Sequence, residues 1–210
     1  MLLASGHVCL RLERMSPITH FLATWVGFES CLRTSRDRAL VCAAGLAPDL
    51  DGLGIVVDFT TRLLGLPETD FYQSTHRLYG HGITAALVFA ALVAALGCDR
   101  LRVGLLAFVA VHLHFLCDLI GSRGSEPEDL WGLYYLGPWN VQDEIVWPGQ
   151  WPLVGWQNFL ITAILMALLL ERASRKGYSP IGLVSRRADQ ALIAVLQGWR
   201  QALLQRGSIG

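Results

Sequence analysis

Ala110-Val111-His112-Leu113-His114-Phe115-Leu116-Cys117-Asp118-Leu119-Ile120-Gly121 decides how this chain is read. His114 and Asp118 stand four residues apart, so a helix places them on one face, while His112 points elsewhere. The residues before them, Leu101 to Val111, are nearly all apolar. An imidazole and a carboxylate on such a helix cost several kcal/mol to bury unless something compensates. A cation shared with other ligands is one compensation; a hydrogen-bonded His–Asp pair is the other.

The composition narrows the setting. The chain has 210 residues, enough for one domain; 53% are hydrophobic and 16% charged, and the mean hydropathy is +0.42. The formal net charge is zero, so no nucleic-acid partner is indicated. Five widely spaced cysteines with no C-x-x-C pair provide neither a disulfide framework nor a thiolate zinc site. Residues 1–14 lack the order of a signal peptide, because Arg11, Glu13 and Arg14 follow the apolar part. They read as an N-terminal extension, with Ser16 as cap and Pro17 opening the first helix.

Working outward, the pattern predicts an all-α, antiparallel multi-helix membrane bundle over 15–176, followed by a C-terminal amphipathic helix and tail over 177–210. The predicted helices are Pro17–Cys31, Ala39–Ala47, Ile83–Leu96, Val103–Leu119 and Pro152–Leu170, with a further apolar piece at Gly54–Leu66. Arg33–Arg38 and Pro67–Ser74 read as polar connections, and Gly121–Trp151 as a long loop carrying Trp131, Trp139, Trp147 and Trp151. The last of the five helices has the ~20 residues a span needs, and the third and fourth reach that length with their flanks. Helices apolar on every face belong in a membrane or in the core of a large protein, and this chain is small. In Ala188–Leu204, by contrast, Leu192, Val195, Leu196, Trp199 and Leu203 form a stripe, suited to a membrane surface, a partner or a final packing helix.

Counting helix directions turns the scattered polar residues into a site. The first helix leaves the end where His20 lies, and the second returns to deliver Asp49 and Asp51. The third leaves from His76 and His81, and the fourth returns with His114 and Asp118. Short antiparallel connections therefore collect all seven at one end. The loops at that end carry only Arg62, Arg77 and Arg123, whereas the opposite end is rich in arginine. By the positive-inside rule the basic end is cytoplasmic and the site faces the periplasm or exterior.

His and Asp without Cys suit zinc or another first-row divalent ion at a hydrolytic centre. The set suffices for two ions, one lowering the pKa of a bound water and a second clamping the attacking or leaving oxygen. Asp49 and Asp51 alternate on a turn, so one can bind metal while the other bridges, orients a histidine or acts as base; an ordinary Asp-rich turn is the plain alternative. Arg77 could meet a phosphate by a two-pronged contact.

Thr19-His20, Pro48-Asp49-Leu50-Asp51, His76-Arg77 through His81, and His114-x-x-x-Asp118 followed by Gly124 resemble the bacterial inner-membrane, metal-dependent hydrolase family. That family is itself assigned by likeness to helical zinc-dependent phospholipase C enzymes, and the resemblance covers about residues 15–175. It implies His20, Asp49, His81, His114 and Asp118 as metal ligands, and Asp51 and His76 as ligands or as residues that orient them. The chain departs from the pattern at Gly80 and Gly82, where small hydroxyl residues flank the second histidine, and at Gly121, where the pattern has Thr.

Together these readings predict a multi-pass inner-membrane hydrolase holding one to three divalent ions, most simply zinc, with Asp51 and Arg77 as catalytic residues and His20, Asp49, His76, His81, His114 and Asp118 as ligands. Its partners are membrane lipid and a small-molecule or lipid phosphoester substrate. Two rivals remain open: a non-enzymatic metal-binding or transport protein, which would place ionisable residues near the bilayer middle, and a di-iron membrane oxidase, which calls for more histidines.

Overall fold

The computed structural model describes residues 17–67 and 69–207, and every regular element in them is helical. The expectations for residues 1–14 and for the Ser16 cap lie outside the described residues. Helix α1 (Pro17–Phe28) continues as a 3-10 turn to Cys31, as expected.

The other boundaries shift where a side chain caps a helix. Helix α2 is Ser35–Leu46, beginning four residues before the apolar pattern does. Thr34 is extended and its hydroxyl accepts the Asp37 N–H at 3.0 Å, so most of the predicted Arg33–Arg38 turn is the helix's first turn. A 3-10 stretch, Ala47–Leu53, leads into α3 (Gly54–Leu63). The predicted Pro67–Ser74 loop contains the start of α4 (Phe71–Thr75), because Asp58 of α3 accepts the Phe71 and Tyr72 N–H groups at 2.9 and 2.8 Å.

Helix α5 (Ile83–Leu96) has its predicted bounds. Helix α6 runs Arg100–Gly121, longer than expected because Asp99 caps it. Helix α7 is Trp156–Lys176 rather than Pro152–Leu170. Pro152–Gly155 forms a turn, and the charged Glu171–Lys176 run stays helical until Gly177, at φ 75°, closes it with an N–H to the Ala173 carbonyl. Helix α8 is Arg186–Gly207.

Helix α6 is the centre of the bundle. Its Val103, Ala107, Ala110, Val111 and Phe115 pack with Val41 and Ala44 of α2 and Ala86 and Val93 of α5. The contacts confirm the directions counted from sequence. Cys98, just before α6, donates to Asp37 of α2 at one end, and His114 donates to Gly45 at the other, so these two helices run together. Thr19 meets Thr162, and Glu29 meets Lys176, so α1 and α7 run together the other way.

Glu29 is buried at the basic end, where it takes hydrogen bonds from Lys176 at 2.7 Å and Tyr178 at 2.6 Å. Burial alone would raise its carboxyl, but those donors hold it below the usual glutamate range.

Among the described residues, three segments are long and apolar enough to cross a membrane: Ser35–Leu63, Arg100–Gly121 and Trp156–Lys176. At 1.5 Å per residue α6 and α7 are each about 32 Å long, matching a hydrocarbon core of about 30 Å. Two expectations change. Helix α5, at 14 residues, is too short to count as a span by length, whereas the second predicted helix joins one through its 3-10 extension.

Helix α2 approaches α1 through Gly45, where a Cβ would lie 2.4 Å from Thr24 Oγ1 and 3.2 Å from Thr24 Cβ. Gly45→Ala is therefore expected to destabilise by roughly 1–3 kcal/mol, outweighing the ~1 kcal/mol gain in helix propensity. Adding Thr24→Ala should restore most of the loss in a detergent melting curve. A single Gly45→Ala that melts higher than wild type would contradict this packing.

Candidate metal centre

Asp118 lies in the last turn of α6 and is buried among histidines from two other parts of the chain and its own helix. Its Oδ1 is 3.2 Å from His20 Nε2, and its Oδ2 is 3.4 Å from His81 Nε2 and 3.1 Å from His114 Nε2. Asp49 Oδ1 approaches His114 Nε2 at 3.8 Å, and the rings of His20 and His114 stack at 3.8 Å. The helix count from sequence thus does bring His20, Asp49, His81, His114 and Asp118 together.

The outward nitrogens fix the tautomers. His114 Nδ1 donates to the Gly45 carbonyl at 2.9 Å, since a carbonyl can only accept. His81 Nδ1 donates to Asp51 Oδ2 at 2.9 Å. In the neutral rings both Nε2 atoms then carry lone pairs, 3.2 Å apart, facing the carboxylates of Asp118 and Asp49. Four electron-rich groups converging in a buried space require a cation between them. Either a proton on His81 or a metal ion meets that need. His20 Nε2 faces Asp118, and His20 Nδ1 and His76 Nε2 have no hydrogen-bond partner; such buried nitrogens fit ligands. Among the described residues, three groups bring ligand atoms within 4.8 Å of one another, close enough to hold an ion: His20, Asp49 and His114; His81, His114 and Asp118; and Asp51, His76 and His81. They share His81 and His114, so the donor set fits more than one ion.

Asp51 is the hub beside this cluster. Its Oδ1 accepts from His76 Nδ1 at 2.9 Å, and its Oδ2 accepts from His81 Nδ1 and from the Arg77 and Gly80 N–H groups at 2.9 and 3.0 Å. Arg77 reaches this position with a left-handed backbone, φ 72°. Gly80 is required here, because a Cβ would meet the Pro48 carbonyl oxygen at 2.3 Å and Asp51 Oδ2 at 2.9 Å. The Arg77 guanidinium lies over Trp131, donates to the Gly132 carbonyl and stands 3.9 Å from Glu144, so it is held by the long loop.

That loop caps the site. Trp131 is buried with its ring 5.4 Å from that of His81, and the Gln150 side chain bonds both the N–H and the carbonyl of Trp131. Trp139 and Trp147 are exposed. His112 faces away, donating to the Phe108 carbonyl and accepting from the Tyr135 hydroxyl, and so pins the loop to α6.

Two contributors escape a reading by residue type. The Gly45 carbonyl is invisible in sequence because any residue carries one. Ser122 is buried and donates to Asp118 Oδ1 at 3.0 Å, one residue beyond Gly121, where the resembled pattern has its threonine. Its spacing of four from Asp118 is the available signal.

A family model described as YdjM inner membrane protein matches residues 15–196. The chain belongs to that family. The match takes in all the ligand candidates and the first half of α8, and it supports the inner-membrane setting that the apolar spans imply. No curated protein and no solved structure matches the chain.

Burial lowers His81, but the hydrogen bonds of Asp118 and Asp51 outweigh it and bring the imidazolium up to about 9. A divalent ion must displace that proton. Zinc affinity of the full chain is therefore expected to strengthen by roughly tenfold per pH unit from pH 6 upward and to level off near His81's own value. Without an ion the sign reverses: the stability His81 contributes is complete below its ordinary 6.5 and lost as pH rises through about 9. Calorimetric titration across pH checks the first statement, and melting in chelator checks the second.

Proposed function

We propose that this chain is a membrane-bound hydrolase that uses one to three divalent ions, zinc foremost, to cleave phosphoester bonds, with lipid headgroups among its substrates. The observation that supports this most is the pair of inward Nε2 lone pairs, on His81 and His114, facing Asp118 and Asp49 across 3.1–3.8 Å. A bound ion there supplies Lewis acidity and lowers the pKa of water towards neutrality. The protein's share is to hold the donors in place. Gly45 and Asp51 set the tautomers of His114 and His81, and Ser122 orients Asp118.

Asp49 is better placed than Asp51 to take a proton, since its side chain is 12% exposed against 3% and Asp51 already accepts four hydrogen bonds. Arg77 offers a fork for substrate phosphate once the loop releases it from Gly132 and Glu144. In this reading the basic end is cytoplasmic and the site faces the periplasm.

One observation favours a second reading, a metal-binding protein without turnover: the His20, His81 and His114 side chains are fully buried, with Trp131 packed on His81. Metal analysis of the purified full chain, followed by soluble and lipid phosphoesters, separates the two. The hydrolase should bind metal and turn over at least one phosphoester. Asp118→Asn should lose both properties, since an amide is a poor ligand for zinc-like ions. Cys31→Ser, exposed at the opposite end of the bundle, should keep both. Full metal content with no turnover of any substrate would leave the binding reading. Wild-type metal content in Asp118→Asn would remove Asp118 from the ligand set.

A further inference from the structure

Helix α8 is only half used by the bundle. On a helical projection Leu192, Val195, Leu196, Trp199 and Leu203 share one face, with Gln190, Gln197, Gln201 and Gln205 on the opposite one. The first part of the apolar stripe is seated: Ile193 and Leu196 are buried, and with Leu192 they pack against Leu170 and Ala173 at the end of α7. The stripe then runs on past the bundle. Val195 is 50% exposed, Trp199 66% and Leu203 69%.

The place where this happens is informative. Leu170 and Ala173 lie where α7 changes character, from a flank with exposed Phe159, Leu160, Ile164 and Leu168 to the charged Arg172, Arg175 and Lys176. For a spanning helix that change marks the boundary between acyl chains and headgroups. The free half of the stripe therefore starts from a seat at that level.

The rotation of α8 is set from within. Asp189 is its only acidic residue, and it is buried, accepting the N–H and hydroxyl of Ser179 at 2.9 and 2.6 Å. Gly182 admits this contact, since a Cβ there would lie 2.7 Å from Asp189 Oδ2. With that carboxylate occupied, the exposed charges among the described side chains of α8 are Arg186, Arg187 and Arg200, and Arg186 shares a surface cleft with Arg36 of α2. Neutral charge over the whole chain thus conceals a positive collar at this level.

We propose that α8 is a surface helix lying in the headgroup layer of an anionic leaflet, with Trp199 and Leu203 in the acyl boundary and the arginines on lipid phosphates. An apolar stripe, an opposing polar face and surplus arginine are the requirements for such binding. The inference does not depend on the hydrolase reading. It gives the basic end of the bundle a lipid-composition sensor joined directly to α7.

Hydrogen exchange of the full chain in nanodiscs holding a single copy tests it, comparing discs of phosphatidylcholine alone with discs containing phosphatidylglycerol. Amides of 198–205 are expected to exchange about tenfold more slowly with phosphatidylglycerol present. The double variant Trp199→Glu/Leu203→Glu should abolish that protection while α7 amides keep their rates. The comparison of lipids in the wild type stands by itself if the variant fails to fold. Equal exchange in the two lipids, or protection that survives in the folded double variant, would overturn the proposal. So would protection that arises only in discs with two copies, which would assign the stripe to a second chain.

Discussion

The structure turns on one buried carboxylate. Asp118 has three imidazole nitrogens within 3.1–3.4 Å and a serine hydroxyl at 3.0 Å, in a place nearly closed to solvent. A lone carboxylate in such a place is costly, and each imidazole offsets that cost only if its nitrogen carries a proton or an ion. Everything nearby serves that condition. His20 comes from α1, His81 from the turn before α5, and His114 from α6 itself. The cluster therefore couples the packing of these helices to one charge balance.

Around this centre the positioning is done largely by backbone. The Gly45 carbonyl selects the His114 tautomer, and it can do so because α2 lies against α1 at a residue with no side chain. Asp51 organises the neighbouring turn by drawing two backbone N–H groups and two histidines onto one carboxylate. Such groups around a ligand set fix ring orientation and basicity as much as the ligands do. The long loop adds a lid of aromatic surface through Trp131, and its arginine contact makes the lid and the Asp51 turn one unit.

The opposite end is built differently. There the buried charge is Glu29, matched by Lys176, Arg172 and Tyr178 rather than by histidines. None of those partners is an imidazole, and together they clasp α1 to α7. The imidazole end carries the donor set proposed to exchange a proton for a metal ion. One bundle thus has a clasped pole and an imidazole pole, separated by helices of membrane-spanning length.

Residue pattern alone determined the all-helical class, the directions of the helices and the gathering of His20, Asp49, His81, His114 and Asp118, because apolar periodicity and short connections leave few ways to fold an up-and-down bundle. The exact bounds of α5 were legible for the same reason, with glycine on either side of an unbroken apolar run. The early starts of α2 and α6 and the appearance of α4 were not, since they rest on single caps from Thr34, Asp99 and Asp58, whose effect depends on where each side chain points. Only tertiary structure could separate the two aspartates of the Pro-Asp-x-Asp turn, sending Asp49 towards His114 and committing Asp51 to His76 and His81. It alone placed the Arg77 guanidinium against the loop and the Gly45 carbonyl on His114. Sequence spacing tells which residues share an end of the bundle; which lone pair faces which is set by backbone approach, and that is a property of the packed chain.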